Sequence, residues 1–275
     1  MSITRRPFLK SIAAAAALAG SLLAASCESL GMSTPPPAAP EIGLYELRTY
    51  TTSPGKMDAL DARFRDHTIG LFRRHGMTPV AFFHVAPAAD GKADNRLVYI
   101  MGYKDRAARD AAWKEFSADP EWTKVYQESE ANGALLTKAP ENVFLTASDY
   151  SPKLDTRSAA SPRLFELRTY TANPGKLEDL HSRFRDHTLT IFARHGMTNV
   201  LYWRPTGGQP QMENKLVYLL AFPTLEARTE AFQKFSADPE WQKVSQASNA
   251  NGPLLAQKDG VVAVQLVPTD YSPLK

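Results

Sequence analysis

The sequence predicts an α+β protein: two tandem ferredoxin-like (split βαβ) domains that pair within one chain as an α+β-barrel pseudo-dimer. Three observations carry this. First, the chain repeats itself. YELRTYTTSPGK at Tyr45 returns as FELRTYTANPGK at Phe165, RFRDHT at Arg63 returns at Arg183, and RHGMT at Arg74 returns at Arg194, each pair 120 residues apart. FSADPEW at Phe116 recurs at Phe235 after a slip of one residue. A period this long is a small domain rather than a solenoid unit. Second, each copy reads as β-α-β-β-α-(α)-β, the split βαβ order. Third, helices cover only one face of such a sheet, so the other face needs a partner, and the second copy supplies it.

The elements follow from local pattern. Leu44 to Thr51 alternates as a strand, with Tyr45, Leu47 and Thr49 on one face and Glu46, Arg48 and Tyr50 on the other. Ser53-Pro54-Gly55 turns the chain into a helix from Lys56 to His75, where Met57, Leu60, Phe64, Leu71 and Phe72 fall at helical spacing. Gly76 ends it. Val80 to Ala86 and Arg96 to Tyr103 read as a hairpin, and Asp105 to Phe116 as a second helix. Asp119, Pro120 and Glu121 supply an N-cap, a first-turn proline and a first-turn acid for a further helix. Asn132-Gly133 turns the chain, and Asn142 to Ala147 is the last strand. The second copy repeats the order from Leu164 to Val267.

Residues 1–27 read as a twin-arginine-type signal peptide, with Arg5-Arg6 before Phe8-Leu9-Lys10 and an Ala-rich apolar stretch to Ala25. That stretch is short for a membrane span. Leu23 to Cys27 has the form of a lipobox, with Ala24 in place of the usual Leu, so Cys27 is the expected lipidation site; cleavage without lipidation is the competing outcome. Residues 28–42 form a Pro-rich tether, 43–150 the first domain, 151–162 a polar linker and 163–275 the second domain. The expected location is the periplasm or cell envelope, anchored to the membrane by lipid. Cys27 is the only cysteine, which excludes an intramolecular disulfide and a Cys-based zinc site. The formal net charge is +3, with no basic run interleaved with aromatics, so nucleic acid is not an expected partner. No G-x-S-x-G, P-loop, H-E-x-x-H or G-x-G-x-x-G occurs.

The segments Tyr45-Glu46-Leu47-Arg48-Thr49-Tyr50, Pro54-Gly55-Lys56 and Ala118-Asp119-Pro120-Glu121-Trp122, with Phe165 to Tyr170, Pro174 to Lys176 and Ala237 to Trp241 in the second copy, resemble the NIPSNAP family. Phe83 departs from the Trp expected there, which the second copy has as Trp203, and Pro79 becomes Asn199. The resemblance implies a dimeric α+β barrel and no settled reaction.

Candidate site residues are those that both copies share. Glu46, Arg48 and Tyr50, with Glu166, Arg168 and Tyr170, are expected to line the barrel interior or rim, where Arg can grip an anion and Glu can take a proton. The plainer reading is a self-satisfied ion pair. His67 and His187 border the helical apolar stripe as base or ligand candidates beside the cavity, or as half-buried structural histidines. Tyr99 and Tyr218 are pocket or core residues. His75 and His195 serve the helix end. His84, matched by Arg204, and His181, matched by Asp61, lack doubles. No metal site and no cofactor is expected. The preferred function is a non-catalytic binding module for a small apolar ligand or a protein partner, self-association remaining open. The alternatives are a barrel enzyme of monooxygenase or isomerase type acting on an apolar substrate, and a structural envelope lipoprotein.

Overall fold

In the first repeat, β1 (Leu44–Thr51) leads into α1 (Met57–Arg63), a π-helical turn (Phe64–Thr68) and α2 (Ile69–Arg74), followed by β2 (Thr78–Val85), β3 (Arg96–Tyr103), α3 (Arg106–Ala118), α4 (Pro120–Glu130) and β4 (Glu141–Ala147). The second runs β5 (Leu164–Thr171), α5 (Leu177–Arg183), a π-helical turn (Phe184–Thr188), α6 (Leu189–Arg194), β6 (Thr198–Pro205), β7 (Lys215–Phe222), α7 (Leu225–Ala237), α8 (Pro239–Ser248) and β8 (Val261–Pro268), with a 3₁₀ turn at Pro210–Met212. The computed structural model describes residues 41–87, 91–155 and 163–275, all within one compact unit. The leader, Cys27 and most of the linker expected at 151–162 lie outside the described residues.

The long helix expected from Lys56 to His75 is present, with one change of winding. The repeated motif RFRDHT occupies the π-helical turn in both copies. The amide of Ile69 bonds Phe64 O, five residues back, and Thr68 Oγ1 donates to Arg63 O at 3.0 Å. Thr188 does the same to Arg183 O at 3.1 Å. A threonine at this spacing satisfies the carbonyl that the wider turn leaves open. Gly76 and Gly196 close the helices in the left-handed region, at φ +73° and +80°. Asp119 caps α4, accepting from Glu121 N at 2.8 Å, with Pro120 first in the helix.

All eight strands join in one closed antiparallel barrel ordered β1-β3-β2-β8-β5-β7-β6-β4. Its interior is an apolar cluster built from both repeats, including Tyr45, Leu47, Phe83, Ile100, Phe165, Leu167, Trp203, Leu219 and Leu266. Tyr45 meets Trp203 edge-on at 5.7 Å, and the equivalent pair, Phe165 and Phe83, meets at 4.9 Å. Phe83 thus takes the place of a tryptophan without leaving the packing scheme. Two further cores lie between each sheet and its own helices.

The barrel closes at two seams that are short. β2 pairs β8 only from Phe83↔Pro268 to Val85↔Leu266, and β4 pairs β6 only from Leu145↔Pro205 to Ala147↔Trp203. The segments after β4 and β8, both containing Asp-Tyr-Ser-Pro, extend each seam onto the opposite repeat. Ser272 Oγ accepts from Phe82 N at 2.9 Å and Ser151 Oγ accepts from Tyr202 N at 3.0 Å. Arg65 forms a two-pronged pair with Asp270, and Arg185 with Asp149. Tyr271 donates to Asp61 at 2.6 Å across the seam.

Because Ser272 is buried and serves the Phe82 amide, Ser272→Ala leaves a buried donor unpaired and is expected to destabilise by about 1–3 kcal/mol. Urea unfolding checks this; an unchanged midpoint would show that the tail does not brace the seam.

Candidate functional site

The expected placement of Glu46, Arg48 and Tyr50 toward the barrel interior or rim is corrected by the structure, and so is that of Glu166, Arg168 and Tyr170. The odd face of β1 (Tyr45, Leu47) fills the interior, whereas Tyr50 packs in the helix-side core. The physical reason lies in the partners. Glu46 is fully buried, and its neutralising donor, Arg109, stands on α3 rather than in the opposite sheet. Arg109 grips Glu46 through Nε at 2.9 Å and Nη2 at 2.6 Å, and Arg48 Nη1 donates at 2.7 Å. Tyr103 Oη, Trp113 Nε1 and Asn142 Nδ2 each add a bond at 3.2 Å. Arg48 Nε donates to Tyr99 Oη at 2.8 Å, and its guanidinium lies 4.4 Å from the Trp113 ring centroid. Burial alone would raise the Glu46 carboxyl, but the bonds from Arg109 and the charge of Arg48 hold it below the usual carboxylate range. Glu46 is therefore a saturated, ionised carboxylate with no free edge for proton transfer. Burial pushes Tyr99 and Tyr218 well above the ordinary phenol value, so neither is a ready proton donor.

The second cluster is leaner. Tyr103, Trp113 and Asn142 have become Phe222, Phe232 and Ala263. Glu166 keeps Arg168 and Arg228 Nε, the latter at 2.6 Å, while Arg168 Nη2 donates to Tyr170 Oη at 3.2 Å. Arg168 Nε and Tyr218 Oη are buried without a partner among the described residues.

His67 and His187 are corrected as well. Both lie in the π-helical turns, exposed to solvent and distant from the barrel interior. The wider turn rotates them off the apolar stripe that an unbroken α-helix would have placed them beside. They line shallow grooves between the long helix and α4 or α8. His75 and His195 meet the N-cap acids instead of serving the helix end alone: each Nε2 is 2.7 Å from Asp119 or Asp238.

The arginine that opens each RFRDHT motif is a site residue that the sequence pattern alone did not single out. Arg63 and Arg183 are buried, and each divides an outer groove, which contains the histidine, from an inner aromatic cavity. The inner cavity of the first repeat, about 180 Å³, lies among Tyr50, Phe64, Phe72, Phe116 and Trp122. Its counterpart, about 230 Å³, lies among Tyr170, Phe184, Phe192, Phe235 and Trp241. Both cavities are smaller than a typical small-molecule site but share its apolar lining with a few convergent polar groups. The signal was present: an arginine at each of these positions sits one turn after Leu60 or Leu180, on the apolar stripe. The described residues contain no acid and histidine cluster fit for a metal ion, and no helix among them is long and apolar enough to cross a membrane.

The two unmatched histidines also have defined surroundings. His84 Nε2 lies 3.0 Å from Asp61, and in the second repeat both positions have changed together, to Arg204 and His181. His181 is fully buried, 2.7 Å from Tyr150 Oη through Nδ1, with Nε2 unpartnered among the described residues.

Glu46→Ala strands Arg48 and Arg109 without their shared anion and is expected to cost about 3–5 kcal/mol in urea unfolding. A loss under about 1 kcal/mol, the size of an exposed pair, would mean that the cluster is not a structural anchor. At His181 the response is to acid. Burial, reinforced by the charge of Arg204, pulls the His181 pKa down to about 4. Its folded value lies below its unfolded one. Stability is thus complete above about pH 6.5 and is lost as the pH falls toward 4, by up to about 3 kcal/mol, because the unfolded chain takes the proton first. His181→Asp, which copies the first repeat, is expected to flatten the melting temperature between about pH 6.5 and 4; an unchanged slope would remove His181 as the cause.

Comparison with known proteins agrees with this architecture. The NIPSNAP family model matches the chain twice, over residues 45–152 and 165–273. A NIPSNAP-like domain protein of Burkholderia xenovorans is similar at 22% identity and a TM-score of 0.35, over 41% of this chain and 90% of its own. A NIPSNAP family protein of Agrobacterium tumefaciens shows 22% identity and a TM-score of 0.35, over 40% of this chain and 93% of its own. An anthrone oxidase-like protein shares the fold over 86% of this chain and 95% of its own, at 9% identity and a TM-score of 0.53. No curated protein matches. With both repeats matched across most of its length, the chain belongs to the NIPSNAP family.

Proposed function

We propose that this protein is a non-catalytic binding module for a small, largely apolar molecule, held between helices and sheet rather than inside the barrel. One observation carries the reading: an aromatic cavity with a buried arginine at its edge occurs at the same place in both repeats. The barrel interior is occupied by its own aromatic and aliphatic side chains. The shared Glu46 and Glu166 are bound to arginines within their own repeats, which argues against the enzyme alternative, since a general base needs an open edge. The leader and Cys27 support placing the module at the cell envelope on a lipid anchor, which leaves the folded unit free to sample ligand beside the membrane.

The second cavity is the more accessible candidate. Tyr126 overlies Arg63 and Trp122 in the first repeat, whereas Ser245 stands at the equivalent position. Native mass spectrometry of protein taken from its own host is expected to show a small-molecule adduct, and a lipid mass at Cys27. Calorimetry with the neutral aromatic 2-naphthol is expected to show binding that Ser245→Tyr weakens at least about tenfold, the size of effect when a filled cavity excludes its ligand. Absence of an adduct together with equal 2-naphthol binding by the variant would overturn the reading.

A further inference from the structure

Duplication left the two buried arginines with different company. Arg63 Nη1 donates to Ser129 Oγ at 3.2 Å and to the Glu130 carboxylate at 3.1 Å, so its charge is matched. The position of Glu130 is Asn249 in the second repeat, and that of Glu128 is Ala247. Arg183, 6% exposed, keeps only the serine, Nη1 donating to Ser248 Oγ at 3.3 Å; its Nε, like Arg63 Nε, is buried without a partner among the described residues, so the missing carboxylate is what sets it apart. No carboxylate among the described residues forms an ion pair with it. Burial pulls its pKa below the ordinary guanidinium value, while the tyrosines Tyr170 and Tyr218 oppose that pull only in part. A buried cation without a counterion is costly, and burial of this kind is ordinarily compensated by a paired anion.

The setting says which anion fits. Arg183 lines both the inner aromatic cavity and the outer groove, which has a volume of about 580 Å³. Its guanidinium carbon lies 5.2 Å from the Trp241 ring centroid, so one face is covered. A planar guanidinium matches a carboxylate, whose two oxygens accept from neighbouring donors. The groove also contains the pair Lys176–Asp179 at 3.3 Å, with Asp186 and Lys243. Its two acids and two lysines offset one another, so the ligand's charge is set by Arg183, and the aromatic cavity favours an apolar body.

We propose that the second repeat contains a site for a small organic monocarboxylic acid, its apolar body in the cavity of Phe184, Phe192, Phe235 and Trp241 and its carboxylate on Arg183, and that the first repeat has lost or never had this site because Glu130 occupies the arginine. The inference rests on the binding reading above and adds the charge of the ligand.

The experiment compares 2-naphthoate with 2-naphthol by calorimetry at about pH 7, where only the first is an anion. The wild-type chain is expected to bind 2-naphthoate at least about tenfold more tightly, in line with a charge-assisted pair. Asn249→Glu recreates the ion pair of the first repeat, so it is expected to fold with unchanged or raised melting temperature, lose the preference for naphthoate and keep its affinity for naphthol. The double variant Tyr126→Ser/Glu130→Asn is expected to raise the naphthoate stoichiometry from about one to about two per chain. Equal affinity for the two probes in the wild type, or an undiminished naphthoate preference in Asn249→Glu, would overturn the carboxylate assignment while leaving a neutral-ligand pocket intact. Failure of both probes to bind would remove the pocket itself.

Discussion

Each four-stranded sheet of this protein has two faces that must leave water and helices for only one of them. That constraint organises the rest. The face presenting Tyr45 and Leu47 has no helix to meet and therefore meets Phe83, Phe165 and Trp203 from both sheets, which closes the barrel. Its interior is packed with apolar side chains from both repeats, among which an unpaired charged side chain would be costly to bury. The charges of the E-L-R motif are consequently placed on the opposite face, where α3 can bring Arg109 to Glu46 and α7 can bring Arg228 to Glu166. The same alternation that suggested a polar lining thus produces a polar underside, because strand parity assigns faces only relative to one another and tertiary packing decides which face is inside.

Closure within one chain also explains the tails. A barrel made by two identical subunits would repeat every contact by symmetry. Here the two seams are similar but free to drift, since each can change without changing the other. Both retain a serine that caps an opposing strand amide and an arginine–aspartate fork. Beneath that shared frame the positions of Asp61 and His84 have moved together to His181 and Arg204. The replacement trades the His84–Asp61 contact for a buried His181 whose Nε2 is unpartnered among the described residues, and so alters the response of the neighbourhood to acid.

The fold was largely legible in the sequence. The repeat, the alternation of Leu44–Thr51, the Asp119-Pro120 helix start and the Gly76 stop all encode local geometry, and the structure keeps each of them. The site was less legible for a physical reason. Looking for residues that both repeats share finds what the fold needs, such as Glu46, Arg48 and Tyr99. It passes over residues that differ, and the differences at 126/245 and 130/249 change the volume of the cavity and the charge balance of the arginine. The π-helical turn escaped too: RFRDHT has ordinary helical periodicity, and the shift to an i−5 bond shows only in the Ile69 amide and the Thr68 hydroxyl. A turn of that kind rotates the side chains along the helix relative to one another, which is why His67 faces solvent and Arg63 stays buried.

A saturated carboxylate and an unsaturated arginine of similar burial have opposite consequences. Glu46 collects donors until nothing further can approach, so it contributes rigidity. Arg183 has one serine partner and no carboxylate among the described residues, so its charge is left unmatched. The contrast comes down to one position: Glu130 holds Arg63 in the first repeat and Asn249 stands there in the second, so the proposed carboxylate site depends on a side chain that one copy has and the other lacks.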